Sequence, residues 1–150
     1  DCFTGDLPST TSEYALQLRE KRNPYLHNSD NNIGITGFQR TMHSNKVVER
    51  FRATLPGAYE PVSRFYRLEK QGIAPTLRAG TDSSNGSHTA PRPIHPEHHR
   101  CITIREAARL QSFPDWFRFH NTKWHGLRQI GNSVPPLMAK NIAKFIKKVL

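Results

Sequence analysis

The closing segment, from about Val134 to Leu150, places the strongest constraint on the fold. Its apolar residues recur at helical spacing and form one stripe: Met138, Ile142, Phe145, Ile146 and Val149. Pro135 and Pro136 are compatible with the first turn of a helix, where backbone N–H groups have no partner inside the helix. Burying each stripe residue contributes about 1.5–3 kcal/mol before conformational entropy is subtracted. We therefore expect a helix whose stripe needs a covering surface.

The composition limits how much covering surface the rest of the chain offers. Only 35% of the 150 residues are hydrophobic, and 11 Pro and 9 Gly indicate a loop-rich fold with a modest core. We therefore expect a partner surface to cover the stripe. No apolar run of about 18 residues predicts a membrane span, and no segment has the features of a signal peptide. With only Cys2 and Cys101, we expect reduced thiols and a cytoplasmic setting without membrane attachment.

The net charge indicates the class of partner. Lys and Arg number 22 against 12 acidic residues, which gives a net charge of +10 and a pI of about 10.1. Fourteen of the 22 are Arg, whose planar fork fits phosphate groups and the guanine edge. Contact with nucleic acid is the favoured interpretation, and a merely solvated basic surface is the alternative.

Short elements are expected upstream. The sequence predicts a helix over Thr11–Lys21, capped by Ser12 or Thr11, and a second helix over Asn45–Gly57. The second would place Val47, Val48, Phe51 and Leu55 on one side. The runs Ser63–Leu68 and Ala74–Gly80 are typical of short strands. A polar, Gly- and Ser-rich stretch follows between Gly80 and Pro93.

A capping box predicts the start of another helix at Thr103. Thr103 and Glu106 have the spacing at which each side chain accepts from the other residue's backbone N–H, and Pro114 ends the helix. Arg105 and Arg109 lie four residues apart on this helix, and the sequence leaves internal ion pairs and phosphate contacts open for them. The aromatic residues that follow are interpreted as packing residues, not as a base-stacking surface: Phe113, Trp116, Phe117 and Phe119.

Two segments carry a family resemblance. "RCITIREAARLQSFPDWF" (Arg100–Phe117) and "RQIGNSVPPLMAKNI" (Arg128–Ile142) resemble, in order and spacing, the ninth and tenth conserved motifs of DNA (cytosine-5-)methyltransferases. The match is strong over about Pro91–Ile146 and weaker back to about Arg64. That family transfers a methyl group from S-adenosyl-L-methionine to carbon 5 of a cytosine flipped out of duplex DNA. Its bacterial members suggest a restriction-modification context.

The resemblance implies that the reacting groups lie elsewhere. The family's Pro-Cys and Glu-Asn-Val motifs are missing from the sequence, and "DCFTGD" around Cys2 lacks the second glycine of the cofactor-binding first motif. Cys101 is expected to be a small packed side chain. We therefore expect no catalytic residue in this chain. The expected partner is the catalytic half, in the same polypeptide or in a separate subunit, and the start at Asp1 leads us to expect a piece of a longer polypeptide.

The resemblance also suggests roles for individual residues. Gly131, Asn132 and Ser133 would line the S-adenosyl-L-methionine pocket, although Ser133 is equally suited to be the N-cap of the last helix. The candidates for contact with double-stranded DNA are arginines of the variable part, Arg78 first among them: Arg78, Arg40, Arg64, Arg67 and Arg92. His95, His98 and His99 are interpreted as solvated loop residues, and no metal site is expected.

The expected fold class is α+β, with two parts. Residues 1–127 would form a small target-recognition domain with short strands, loops and helices, including the ninth motif. Residues 128–150 would carry the tenth motif and a terminal helix that packs on a Rossmann-like catalytic domain. The favoured function is DNA recognition within a prokaryotic cytosine-5 methyltransferase associated with the nucleoid through DNA. The alternative is a non-enzymatic DNA-binding or interaction module that retains the family's final motifs.

Overall fold

The fold is described by a computed structural model that covers residues 2–3, 9–19, 35–80 and 92–150. The element order is β1 (Cys2–Phe3), α1 (Glu13–Leu18), β2 (Ile35–Thr36), α2 (Asn45–Ala53), α3 (Ile104–Leu110), α4 (Lys123–Gly131) and α5 (Pro136–Val149). Strands β1 and β2 pair antiparallel, with Cys2 opposite Thr36. Over the described ranges, helices therefore supply most of the regular structure of an α+β fold.

Helices α1 and α2 confirm two of the expected helices. Ser12 is the N-cap of α1, and its side chain accepts from the Ala15 N–H at 3.4 Å. Phe51 on α2 is buried as expected. Leu55, however, lies beyond the last residue of α2 and is 73% exposed. The helix ends earlier than Pro56 because Thr54 already adopts an extended backbone.

The two strand predictions were wrong, because neither segment forms a strand. Within Ser63–Leu68 only isolated bridges form, Tyr59 with Tyr66 and Arg67 with Ile94. Arg64 has a positive φ of 60°, which turns the chain and interrupts any longer ladder. Ala74–Gly80 forms no strand and instead sends Leu77 into the core.

The main core lies between α3, α4 and the segments that flank them. Its buried members are Leu68, Leu77, Ile102, Ile104, Ala107, Ala108, Phe113, Leu127 and Ile130. The sequence analysis missed α4, because Gly126 interrupts a stretch with only a few large apolar residues. That glycine is required by packing: a Cβ there would lie 2.8 Å from the His120 carbonyl oxygen and 2.8 Å from Ile104 Cδ1. The domain boundary expected between residues 127 and 128 falls inside α4.

Arg105 and Arg109 make internal contacts. Arg105 is fully buried, and its guanidinium donates to the carbonyls of Thr36, Pro114 and Phe117 at 2.9, 3.2 and 2.7 Å. Arg109 forms a two-pronged ion pair with Asp115, with N···O distances of 2.9 and 2.8 Å. The internal alternative is therefore confirmed for Arg105, which has no surface to offer a phosphate.

The aromatic residues after α3 pack together, as expected. The ring centroids of Phe113, Phe117 and Phe119 are 4.9 Å from one another. Phe113 is buried in the main core, and Phe119 packs against it. These rings therefore pack on one another within the loop between α3 and α4 at tilted or edge-on angles, with Phe113 buried and Phe117 partly exposed.

The capping box at the start of α3 is confirmed and extended. Glu106 N–H donates to Thr103 Oγ1 at 3.2 Å, and Thr103 N–H donates to Glu106 Oε2 at 2.7 Å. Arg100 adds two hydrogen bonds to the same carboxylate, at 2.8 and 2.7 Å. Burial raises the pKa of Glu106, but the hydrogen bonds from Arg100 and Thr103 outweigh it and leave the pKa below its usual value.

The Glu106→Gln substitution tests this network. At about pH 7 it should lower the free energy of unfolding by about 1–2 kcal/mol, because the ion pair with Arg100 is lost, while Gln can still accept from the Thr103 N–H. Since the folded-state pKa of Glu106 is lowered, its contribution is present above the unfolded-state pKa of about 4.5 and is lost as the pH falls through the folded value. Urea titrations at about pH 7 and pH 3 should therefore show the difference from wild type shrinking in acid.

The control is Glu49→Gln. Glu49 also pairs with an arginine, Arg52, at 3.0 Å, but both side chains are well exposed. Its removal should change stability by less than about 0.5 kcal/mol. Equal effects of the two substitutions, or a Glu106→Gln effect independent of pH, would show that the network does not stabilise α3.

Candidate functional site

Helix α5 lies on the outside of the chain. It has no buried residue, and the stripe residues Met138, Ile142, Phe145, Ile146 and Val149 are 56, 47, 69, 51 and 71% exposed. Its first turn is held by one hydrogen bond, from Leu137 N–H to Ser112 Oγ at 3.1 Å. The predicted helix is confirmed, and no described part of the chain covers its stripe.

The turn between α4 and α5 holds two of the residues assigned to a cofactor pocket. Asn132 is the C-cap of α4, and its side chain is exposed. Ser133 Oγ donates to the Ile130 carbonyl at 2.6 Å, and Pro135, not Ser133, is the N-cap of α5. The N-cap interpretation of Ser133 was therefore wrong. Asn132 keeps its amide free to meet a ligand, and Ser133 Oγ can still accept a hydrogen bond.

Gly131 makes its close backbone contact inside the chain. A Cβ at this position would lie 2.5 Å from the Ala79 nitrogen and 2.6 Å from the Arg78 carbonyl carbon. The absence of a side chain thus lets the Arg78–Ala79 peptide pack directly on the end of α4. Gly131 joins the "TLRAG" stretch to the turn and so sets where Asn132 and Ser133 lie.

A hollow of about 330 Å³ opens beside this turn. Its walls include Pro75, Leu77, Leu110, Gln111, Gly131 and Ser133. Apolar side chains with a few polar groups are typical of one wall of a small-molecule site. Because the hollow and the turn adjoin the first residues of α5, a surface that covers the stripe would also come close to Asn132 and Ser133.

Cys101 is a packing residue, as expected. It is buried beside Phe51 and Ile94, and burial raises the pKa of its thiol to about 12, although Arg92 and Arg100 act in the opposite direction. A thiol with that pKa is protonated at neutral pH and is a poor nucleophile. The side chain of Cys2 lies outside the described residues.

The histidines near residue 95 form part of a turn. His95 Nδ1 accepts from the backbone N–H groups of Glu97 and His98 at 3.0 and 3.1 Å. Within the described ranges, no group of three or more His, Cys, Asp or Glu side chains is suited to hold a metal. No helix in those ranges has the length and apolar character needed to cross a membrane.

The five arginines proposed for DNA contact fall into different environments. Arg40, Arg64 and Arg78 are exposed, and Arg92 is half-buried. Arg67 is buried and donates to the carbonyls of Phe51, Thr54 and Pro96 at 3.0, 2.8 and 3.1 Å. Its guanidinium is committed to holding loops together, so we leave Arg67 out of the DNA-contact set.

Arg92 belongs to a polar groove that the sequence analysis missed. The groove has a volume of about 570 Å³, and its lining includes Gln39, Thr41, Arg92, Asn121, Lys123 and Trp124. Lys123 Nζ donates to the Arg40 carbonyl at 2.8 Å, which brings a second of the proposed arginines to the rim. A signal was present in "NTKW", where amide, hydroxyl, cationic and aromatic side chains follow one another.

Comparison with known proteins gives a consistent result. A family model described as C-5 cytosine-specific DNA methylase matches residues 6–148. The type II methyltransferase M.XorII of Xanthomonas oryzae pv. oryzae is 53% identical over 144 residues, covering 93% of this chain and 34% of that protein. DNA (cytosine-5)-methyltransferase 2 of Arabidopsis thaliana is 37% identical over 119 residues, covering 71% of this chain and 7% of that protein.

A solved structure of a DNA methyltransferase also resembles this chain. The crystal structure of a candidate DNA modification methyltransferase encoded within an E. coli prophage matches with a TM-score of 0.67 and 49% sequence identity. The match covers 78% of this chain and 30% of that one. The resemblance first recognised in two motifs is thus confirmed over most of the chain, which spans about a third or less of these relatives.

The contact of Gly131 with Arg78 and Ala79 gives a prediction. Gly131→Ala should lower the free energy of unfolding by about 1–3 kcal/mol, because the added methyl group meets backbone atoms that cannot move aside alone. Asn132→Ala is the control, since it changes the next residue along the chain, whose side chain is exposed, and adds no atom against the Arg78–Ala79 peptide. Thermal unfolding of both variants checks this, and equal melting temperatures would contradict the proposed packing.

Proposed function

Because the chain belongs to the C-5 cytosine-specific DNA methylase family, we propose that it is the carboxy-terminal target-recognition part of a DNA cytosine-5 methyltransferase. The complete enzyme would transfer a methyl group from S-adenosyl-L-methionine to carbon 5 of a cytosine flipped out of double-stranded DNA. M.XorII is named a type II methyltransferase, and we extend the restriction-modification context to this chain as part of the proposal.

The exposed apolar stripe of α5 is the observation that carries the proposal. Its five side chains would together contribute about 5–10 kcal/mol on burial, before entropy. The lysines of α5 include Lys140 and Lys144, which lie on the opposite side of the helix from Ile142. This amphipathic arrangement suits one covering surface, and a catalytic half is the occupant we propose, since the matched part is only about a third of the relatives' length.

This chain would contribute binding and orientation, not covalent chemistry. S-adenosyl-L-methionine supplies an electrophilic methyl group when bound. The exposed Asn132 amide and the Ser133 hydroxyl fit one wall of its site, and Gly131 would place that wall by packing on residues 78–79. The nucleophile that attacks the cytosine ring would come from the catalytic half, because the Cys101 thiol is buried and protonated at neutral pH.

Double-stranded DNA is the proposed macromolecular partner. The net charge of +10 favours association with a polyanion. Arg40, Arg64, Arg78 and Arg92 remain our candidates for phosphate or base contact, since part or all of each side chain is accessible. Arg78 is of particular interest because its backbone packs on Gly131, so a base contact there would be coupled to the cofactor wall.

Reconstitution tests the proposed function. The chain alone should transfer no tritium from labelled S-adenosyl-L-methionine to DNA, and a mixture with a catalytic half that carries the Pro-Cys and Glu-Asn-Val motifs should do so. Methyl transfer by the chain alone would show that the reacting groups are not elsewhere. A complex that forms and binds DNA but stays inactive would favour a non-enzymatic module.

Substitutions on α5 test how the two parts meet. Phe145→Asp should weaken assembly with the catalytic half by at least about tenfold, because it places a charge in an apolar contact. The chain itself should stay folded, since the Phe145 side chain is 69% exposed. Lys144→Asp introduces the same side chain on the opposite face and should leave assembly within about twofold. Isothermal titration calorimetry measures the dissociation constant of each variant with the catalytic half. Equal weakening by the two substitutions would exclude the stripe as the contact surface.

A further inference from the structure

The polar groove between residues 39–41 and 121–124 contains Arg92, one of the arginines proposed for DNA contact, but Lys123 and its other lining residues have no role in the function proposed above. A neighbouring hollow of about 240 Å³ shares Gln39 and Asn121 with it and extends along Thr36 and Gly37 on one side and Phe119 and His120 on the other. The two hollows therefore adjoin each other between these two stretches of chain. Among the residues that the structure describes, their lining contains no Asp or Glu.

The groove is electrically positive. Lys123 Nζ donates one hydrogen bond to the Arg40 carbonyl. Because this carbonyl is neutral, the ammonium keeps its charge, and its other two N–H groups can bind an anion. The positive charges of Arg92 and Lys123 also act on the nearby His43. Burial is the main cause of its lowered pKa, and repulsion from these two cations lowers the pKa further. An anion in the groove would face both cations at once.

The other side chains in the groove also suit a phosphate backbone. Asn121, Gln39 and Thr41 offer amide and hydroxyl donors, which together with Lys and Arg make most of the phosphate contacts in protein–DNA complexes. The Arg128 guanidinium lies over the Trp124 ring, 5.0 Å from its centroid. This contact adds a further cation to the same end of α4.

Hydrogen bonds hold both walls of the groove in place. On one side, Arg105 binds the Thr36 and Gly37 carbonyls through its side chain and its backbone N–H, both at 2.9 Å. On the other, His120 N–H donates to Gln129 Oε1 at 2.8 Å, and Thr122 N–H donates to His120 Nδ1 at 3.1 Å. A preorganised groove loses less conformational entropy when it binds.

We propose that this groove binds the sugar–phosphate backbone of the substrate DNA, with Lys123 and Arg92 as its principal cationic contacts. The inference rests on the proposed function and assigns it a second surface, separate from the Arg78 region. Phosphate contacts position a duplex without reading its sequence. The groove therefore contributes affinity and orientation, and it leaves the choice of recognised bases to other residues.

The test uses the reconstituted methyltransferase with Lys123→Met and Arg92→Met. Each should raise the KM for duplex DNA by about fivefold and lower the slope of log affinity against log salt concentration by about 1. The KM for S-adenosyl-L-methionine and the preference for the recognised duplex over a mismatched one should not change. Lys123→Arg should retain the wild-type slope, because it keeps the charge, and Lys144→Met, on α5, is the matched control.

Several outcomes would overturn the proposal. One is a salt slope for both Met variants equal to that of Lys144→Met. Another is a loss in Lys123→Arg as large as in Lys123→Met, which would assign the effect to the hydrogen bond with the Arg40 carbonyl. A third is weaker association with the catalytic half at unchanged DNA affinity, which would make the groove a protein–protein surface. Fluorescence anisotropy reads the slope without catalysis, so a wild-type assembly that transfers no methyl group counts against the proposed function alone.

Discussion

The buried Arg105 guanidinium is the interaction on which the rest of the structure depends. It connects β2 to the loop after α3 through the carbonyls of Thr36, Pro114 and Phe117, and Asp115 lies 3.9 Å away as its counter-charge. Burial lowers the pKa of Arg105 to about 10, so the group still carries its charge at neutral pH. Removing it would leave buried carbonyls without donors, at a cost of several kcal/mol. The Thr36–Gly37 side of the polar groove is attached to this point.

The division of the chain follows from where the core ends. Leu127 and Ile130 on α4 are buried in the main core, whereas α5 buries nothing. The change of environment therefore falls in the turn after Gly131, and a domain boundary between residues 127 and 128 stays a prediction. In the proposed enzyme, Asn132 and Ser133 lie at this junction, so docking of α5 and completion of the cofactor wall would be one event. The polar groove lies in the part of the chain before this turn and would bind DNA independently of the docking of α5.

Features that depend on residues close together in the sequence could be predicted, whereas contacts between distant segments could not. The Thr103–Glu106 capping box, the Ser12 cap and the stripe of α5 depend on spacing within one segment, so their residues identify them. Whether an arginine is buried depends on distant segments: Arg67 meets carbonyls from residues 51, 54 and 96, and no local pattern distinguishes it from the exposed Arg64. Helix α4 was not predicted for a related reason. Gly126 lowers the helix propensity of this segment, but a glycine is required there because it packs closely against Ile104 of α3. The family resemblance supplied the cofactor and DNA roles, which stay proposals.

Oxidation of the two methionines tests the central claim that α5 completes a catalytic domain. Met42 is 91% exposed and Met138, on the stripe, is 56% exposed, so dilute peroxide should convert both to the sulfoxide in the isolated chain. After assembly with the catalytic half, without DNA, mass spectrometry should show Met138 protected by about tenfold or more while Met42 reacts as before. If Met138 reacts at the same rate in an assembly that methylates DNA, the stripe is not the surface that joins the two halves.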